Sequence, residues 1–450
     1  MDRPFKINLQ GYSNIIENLI LATGDLVSGT KIISQLRKWR RILLLSEEEL
    51  NLLSNLNLSK ILSHATGTIP FYTDLKFNLG LSPEEQLLSF PVMQKQDIRD
   101  NLNDLIANHK SNLIEYSSSG SSGVQGTVYM DKKEQSIIRA IMLLWWEWAG
   151  YTFDKKTIQT GITPERGFIK SLKDLVLNVD YVSAFKISEE EILNLLSKYR
   201  NKKNLFLAGY PSSLNVFAEI ALKNNLADIK IGGAVCWGDK LFDHYKANIN
   251  EAFGCSVKET YSCNEGFLVG AKKDLDYFYI MSPHVYVEIV DKDFNPVPDG
   301  TLGYVLLTRL DCFSMPLIRY YVGDLAVKLP RENYPDHREM FFPLLERVIG
   351  RDTDVVITPS GKKLIVHFFT GIFEFIPEIR QFMVIQREIN GIEIHYIPGS
   401  GFNVSILEKL EKIFFDKIHE HLNINWKKVD IIPPTASGKP QLIQSFIGRS

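Results

Sequence analysis

The sequence is short of cysteine, of net charge and of long apolar runs, and each shortage removes a class of function. Its 450 residues include four cysteines, Cys236, Cys255, Cys263 and Cys312. None forms a C-x-x-C pair, so neither a zinc knuckle nor a thioredoxin-type dithiol is available. Such sparse usage suits a reducing compartment, and a cytoplasmic location is expected. Lys+Arg total 51 against Asp+Glu 53, a net charge of −2. That balance gives no electrostatic case for a nucleic-acid partner or an anionic membrane surface. The most apolar run, residues 140–146, is too short to span a bilayer and is followed by Glu147. Residues 1–28 carry Asp2, Arg3, Lys6, Glu17 and Asp25 without an unbroken apolar stretch before a small-residue cleavage site. No signal peptide is expected from that pattern. Fixed-period repeats are absent, and the one low-complexity tract is a Ser/Gly run at 117–123.

What is present points to a large globular chain. With 45% hydrophobic residues and a soft allowance of about 150 residues per domain, roughly three domains, or one large and one small, are expected. A chain this long buries about three quarters of its unfolded surface and needs no disulfide or metal to fold. Ser46-Glu47-Glu48-Glu49 and Ser188-Glu189-Glu190-Glu191 read as capping boxes ahead of apolar stripes. Ser82-Pro83-Glu84-Glu85 adds proline at the first helical position. Phe242, Tyr245, Ile249 and Phe253 recur at helical spacing until Gly254 stops them. Trp145, Trp146 and Trp148 fall on another helix-like stretch, where packing is the expected role. Strand-like runs at 277–281, 285–290 and 303–307 flank a Pro/Asp/Gly turn at 295–300. Interleaved helix and strand patterns predict an α/β chain with partly parallel sheets. After Gly350-Arg351-Asp352, short strands and a helix-like stretch at 406–419 read as a compact α+β unit of about 100 residues. The expected division is therefore a large N-terminal domain, 1–349, and a small mobile C-terminal domain, 350–450.

Five short motifs could carry chemistry. In Tyr116-Ser117-Ser118-Ser119-Gly120-Ser121-Ser122-Gly123, backbone N–H groups and hydroxyls in series can surround phosphate oxygens. By itself such a run is more often a surface loop, and Val124-Gln125 rules out a Walker A motif. In Tyr261-Ser262-Cys263-Asn264-Glu265-Gly266, an aromatic face can stack on a purine and the carboxylate can hold a divalent cation. A structural tyrosine and a solvated glutamate are an even alternative. Tyr320-Tyr321-Val322-Gly323-Asp324 offers a carboxylate to vicinal ribose hydroxyls, although a lone Gly-Asp is more often a turn. Gly350-Arg351-Asp352-Thr353-Asp354 and Ser437-Gly438-Lys439-Pro440 complete the set. A lysine on a glycine-flanked loop is usually just solvated.

The order of the motifs says more than any one of them. Taken together they resemble the adenylate-forming superfamily, and within it the phenylacetate-CoA ligase and CapK-like family. Residues 88–99, Gly209-Tyr210-Pro211-Ser212, Gly233-Ala234-Val235-Cys236-Trp237, and above all 350–386 with Thr358-Pro359-Ser360-Gly361 support the resemblance, which covers nearly the whole chain. It implies ATP-dependent activation of a carboxylic acid, aryl or another small acid, with Mg²⁺, and transfer of the acyl group to coenzyme A. Transfer to an amine or a carrier-protein thiol is an alternative, as is a non-catalytic nucleotide- or acyl-binding partner protein. Homodimers are common among such enzymes, although no stripe here marks an interface. Residue by residue, the resemblance implies that Ser118, Ser119, Gly120, Ser121, Ser122 and Gly123 cover the phosphates. Tyr261 would pack on adenine, with Gly233, Ala234 and Asn264 beside the nucleotide, Asp324 on the ribose and Arg351 also in contact. Glu265 would ligate Mg²⁺ and Lys439 would be the catalytic lysine. Tyr210, Val235 and Trp237 would wall the acyl pocket, with Asp352 and Thr353 at the hinge. Four departures stand out: Val124 replaces the usual loop lysine, Asn264 replaces a hydroxyl residue, Thr353 falls on the hinge position usually held by aspartate, and Val235-Cys236 replaces a glutamate-proline pair.

Overall fold

The computed structural model describes residues 15–75, 80–107, 112–117, 127–161, 178–184, 188–200, 202, 204–226, 228–238, 240–351, 355–373, 376, 378–399, 401–432 and 442–447. The described residues open with five α-helices, α1 (Ile15–Ser28), α2 (Ile32–Ile42), α3 (Glu47–Thr68), α4 (Pro83–Leu87) and α5 (Lys95–Asp100). A two-stranded hairpin follows, β1 (Ile114–Ser117) and β2 (Thr127–Met130), then α6 (Lys132–Trp148). The Ser46 and Ser82 capping boxes start α3 and α4 as the sequence predicts. A third box, in which Asp131 accepts from the Glu134 N–H, starts α6. Trp145 and Trp148 of α6 are buried in its core cluster, whereas Trp146 is half-buried.

Beyond α6 the chain builds one eleven-stranded sheet. Its strands are β3 (Lys156–Gly161), β4 (Val179–Ser183), β5 (Leu205–Gly209), β6 (Ile231–Cys236), β7 (Val257–Cys263), β8 (Phe267–Ala271), β9 (Phe278–Ile280), β10 (Val285–Val290), β11 (Leu302–Arg309), β12 (Tyr320–Lys328) and β13 (Leu344–Arg351). They lie in the order β10-β11-β12-β13-β9-β8-β7-β6-β5-β3-β4. From β4 to β7 all neighbours are parallel, and from β7 to β10 all are antiparallel. Helices α7 (Glu189–Lys198), α8 (Pro211–Lys223) and α9 (Asp243–Phe253) belong to the parallel half. Ser188 caps α7, and Gly254, in the left-handed region at φ 68°, ends α9. Strands buried on both faces read as continuous apolar runs. Accordingly every residue of β5 is buried, and β6 alternates between two cores. Ala234 and Cys236 pack with α7–α9, and Val235 packs with α6.

A separate C-terminal domain follows. It holds the hairpin β14 (Val355–Ile357) and β15 (Lys363–Ile365), helix α10 (Val366–Phe373), strands β16 (Ile379–Glu388) and β17 (Gly391–Pro398), helix α11 (Ser405–Ile418), and strands β18 (Asn423–Lys428) and β19 (Ile443–Ser445). The last four strands form their own sheet in the order β18-β17-β16-β19. Its core, with Phe369, Phe373, Val384, Ile394, Leu410 and Phe414, is distinct from those of the large sheet.

Candidate active site

In open α/β sheets ligands bind beyond the carboxyl ends of the parallel strands. Here β5, β6 and β7 run side by side, and the residues that leave their carboxyl ends are Tyr210, Trp237 and the 261–265 segment. The backbone N–H of Trp237 donates to the Gly209 carbonyl at 3.1 Å, and the Thr260 hydroxyl donates to the Cys236 carbonyl at 2.9 Å. The three strand ends are thus tied into one rim.

Tyr261 is on β7 itself, which runs on to Cys263 before a turn at 264–266 leads into β8. Asp324 lies within β12, not in the turn that an isolated Gly-Asp suggests. The pairing of β12 with β11 moves from Tyr321↔Leu306 to Leu325↔Tyr304, so β12 carries two extra residues there. Gly323, at φ 77°, absorbs this bulge. Three strands separate β7 from β12 in the sheet order, which in a flat sheet would set them about 19 Å apart. The Tyr261 hydroxyl nonetheless donates to Asp324 Oδ2 at 2.7 Å. The sheet therefore curls here, enclosing the core that contains Tyr261, Phe267 and Tyr320.

Glu265 sits in the turn after β7, buried to 8% exposure. Its Oε1 accepts from the Tyr320 hydroxyl at 3.1 Å, and Lys95 Nζ lies 3.8 Å from the same oxygen. Burial first, then the Glu265 charge, pushes the Tyr320 phenol well above its usual range, so it stays a donor. The Tyr320 ring stacks on Phe267, centroids 5.9 Å apart and planes at 6°. Arg351 ends β13 directly across from Asp324 in the ladder. Gly266, at φ 91°, lets the turn close on Met130 of β2 and the Arg309 guanidinium, which lie 2.7 and 2.8 Å from where a Cβ would stand. Behind that turn the Arg309 guanidinium donates from Nε to Asp311, and His284 pairs with the other Asp311 oxygen at 2.7 Å. This buried network braces the Glu265 turn against the root of the β1–β2 hairpin.

The expected acyl-pocket residues collect at the ends of β5 and β6. Trp237 stacks on Trp146 of α6 at 6.1 Å and 10°. Tyr210 lies against Gly238, with its Cε1 2.6 Å from where a Cβ there would stand. Val235 is fully buried beside Phe206 and so is core rather than exposed wall. Gly233 is held by packing, because the Ala149 carbonyl at the end of α6 would lie 1.8 Å from a Cβ. Ala234 is equally buried, on the opposite face. Asn264 occupies the turn before Glu265.

The structure thus brings together Tyr261, Glu265, Asp324 and the backbone of Arg351, and separately Tyr210 and Trp237. The loop residues Ser118, Ser119, Gly120, Ser121, Ser122 and Gly123, the hinge residues Asp352 and Thr353, and Lys439 lie outside the described residues. The sequence points to packing for Trp146 and gives no role to Tyr320 or Lys95, whose relevance depends on pairings distant in the chain. Their signal lay in the 88–99 and Tyr320-Tyr321 stretches, which frame the motifs without themselves being chemical patterns.

Comparison with known proteins agrees with this architecture. Residues 356–445 match the CapK C-terminal domain. Protein CapK of Staphylococcus aureus is 23% identical over 389 residues, covering 82% of this chain and 83% of that protein. A phenylacetate-coenzyme A ligase of Pseudomonas putida is 24% identical over 317 residues, covering 66% of this chain and 69% of the ligase. Among solved structures, 2-hydroxyisobutyryl-CoA ligase, in the postadenylation state in complex with 2-HIB-AMP, superposes with a TM-score of 0.69 at 17% identity. The match covers 90% of this chain and 91% of that one. Anthranilate CoA ligase AuaEII, in complex with anthranoyl-AMP, gives a TM-score of 0.52 at 15% identity over 74% and 67% of the two chains. The fold is that of the adenylate-forming CoA ligases.

Proposed function

We propose that this chain, a relative of CapK and of the phenylacetate-CoA ligases, activates a small carboxylic acid with ATP and passes the acyl group to coenzyme A. In the first half-reaction a carboxylate oxygen attacks the α-phosphorus, the bond to the β-phosphate oxygen breaks, and acyl-adenylate and pyrophosphate form. In the second, a thiolate attacks the acyl carbon and AMP leaves. The observation that carries the reading is the Tyr261–Asp324 hydrogen bond, with Glu265 four residues on, at the carboxyl rim of the parallel strands. Tyr261 offers a ring face for adenine. Its hydroxyl fixes Asp324, leaving that carboxylate able to accept from ribose hydroxyls.

Mg²⁺ fits the donor set. Among the described residues no group of three or more His, Cys, Asp or Glu could cage a metal by itself. A single carboxylate on Glu265 suits a cation that takes its remaining oxygens from nucleotide phosphates and water. When bound, the cation would neutralise charge on the phosphates. The chain's own part is to hold Glu265 in place through Tyr320, to position two anions in line, and to bring Lys439 to the reacting phosphate. Gly350 and Arg351 belong to β13 of the large sheet, so we take the residues that follow, Asp352 and Thr353, as the joint about which the C-terminal domain turns between the half-reactions. The Trp146–Trp237 stack beside Tyr210 suits a flat aromatic acid.

ATP–pyrophosphate exchange with Mg²⁺ against aryl, short-chain, hydroxy and amino acids tests the reading. Exchange dependent on one acid class, followed by CoA-dependent AMP release, is the expected result. No exchange with any acid, together with no binding of ATP, would replace it with a non-catalytic acyl-binding role.

A further inference from the structure

Lys95 is held beside Glu265 by an unusual construction. Arg319, immediately before β12, has a left-handed backbone at φ 49°, costly for a side chain of its size. It is fixed there by its own contacts. Its N–H donates to the Thr308 hydroxyl at 2.9 Å, and its guanidinium donates to Glu288 at 3.1 Å and to the carbonyls of Phe90 and Phe294 at 3.2 Å each. The Arg319 carbonyl accepts from the Met93 N–H at 3.1 Å, and the Tyr321 N–H donates to the Met93 carbonyl at 2.9 Å. Met93 is thereby bridged, parallel, to Tyr320. Two residues later Lys95 opens α5, with 20% of its side chain exposed and its ammonium 3.8 Å from Glu265 Oε1. Tyr320, the partner of Met93, donates to that same oxygen.

Helix formation gives no reason for a lysine at this position, and its partner there is the Glu265 carboxylate. At the first residue of a helix a cation faces the positive end of the dipole and weakens the helix. A half-buried ammonium also gives up hydration that an exposed one would keep. The phosphates, in contrast, require positive charge that the motif loop does not bring, since Val124 stands where the resemblance expects lysine. We propose that Lys95 is a phosphate-binding residue of the nucleotide site. Without nucleotide it pairs with Glu265. When Mg²⁺ and ATP enter, it yields that carboxylate to the cation and turns its ammonium to the phosphate oxygens. This rests on the adenylate-forming reading above and adds to it the group that stands in for the loop lysine.

The test is binding by the full chain. Mg·ATP affinity is measured by calorimetry and adenosine binding by saturation-transfer NMR, for wild type, Lys95→Met and Lys95→Arg, with Tm recorded for each. Loss of one charge-assisted contact at a half-buried site predicts about tenfold to a hundredfold weaker Mg·ATP binding in Lys95→Met. Adenosine binding should be unchanged, and Lys95→Arg should recover part of the loss. Wild-type Mg·ATP affinity in Lys95→Met, or equal losses for ATP and adenosine, would overturn the assignment, as would a fall in Tm with affinity kept. Wild type that binds neither ligand would instead overturn the nucleotide reading, and Lys95 with it.

Discussion

At the scale of single residues, the site works by giving its carboxylates neutral hydroxyl donors, Tyr320 to Glu265 and Tyr261 to Asp324. Tyr320 illustrates the principle. Its hydroxyl is buried beside Glu265 and kept protonated by that burial and by the adjacent charge. It is therefore a permanent donor to one carboxylate oxygen and leaves the group free to ligate through the rest of its lone pairs. Tyr320→Phe removes the hydroxyl while retaining the ring that stacks on Phe267. A hydrogen bond to a charged group contributes about 1.5–3 kcal/mol, so the exchange rate should fall about tenfold or more and demand more Mg²⁺ for half-maximal activity. Initial exchange rates across a Mg²⁺ titration read both effects. A variant with the wild-type Mg²⁺ profile would show that Tyr320 does not position Glu265. Tyr261 and Asp324 form the corresponding pair on the nucleoside side, where the acceptor is the group expected to meet ribose.

At the scale of elements, what was legible in the sequence was local. The Ser46, Ser82 and Ser188 boxes and the Gly254 stop each depend on residues within one or two turns, and each appears where the pattern places it. The Asp131–Glu134 box is equally local but was overshadowed by the tryptophans it precedes. Asp324 was harder, because a Gly-Asp that signals a turn in isolation becomes a bulge once β11 and β13 pair on either side. Gly233 shows the same limit. The resemblance points to the nucleotide, while the fold supplies a packing reason: the end of α6 occupies the space of its side chain. Gly233→Ala sets a Cβ 1.8 Å from the Ala149 carbonyl, a backbone atom that cannot swing aside. The forced shift should destabilise the protein by about 3 kcal/mol, the upper end for overpacking. Gly254→Ala, whose nearest neighbour is the flexible Lys230 side chain at 3.6 Å, should cost about 1 kcal/mol for its left-handed φ alone. Urea midpoints of the two variants compare them directly, and equal midpoints would contradict the close approach of α6 and β6.

At the scale of the whole molecule, alternating helix and strand patterns sufficed to predict an α/β body. The order of the eleven strands and the curl that brings Tyr261 to Asp324 did not follow from them, since both are set by pairings between distant segments. The C-terminal domain was legible as a compact unit because its hairpin turn, strands and helix are consecutive, and it packs its own core. A small domain with its own core can move as a body, and where it meets the large sheet Val355 packs with Leu325 and Ile349. Opening so small a cluster costs far less than unfolding either core, since burial of one such side chain contributes only about 1.5–3 kcal/mol. The proposed turn of this domain between half-reactions requires that contact to open. A lysine carried by that domain would serve one half-reaction and be withdrawn for the other. Lys439→Ala should then lower ATP–pyrophosphate exchange by about 10²–10³, the usual effect of deleting a group that stabilises developing charge. Conversion of supplied acyl-adenylate and coenzyme A to thioester should stay near the wild-type rate. Both rates can be followed by chromatography of AMP, ATP and thioester on the same preparations. Equal losses in the two steps would assign Lys439 to the integrity of the domain, and an unchanged exchange rate would remove it from the chemistry altogether.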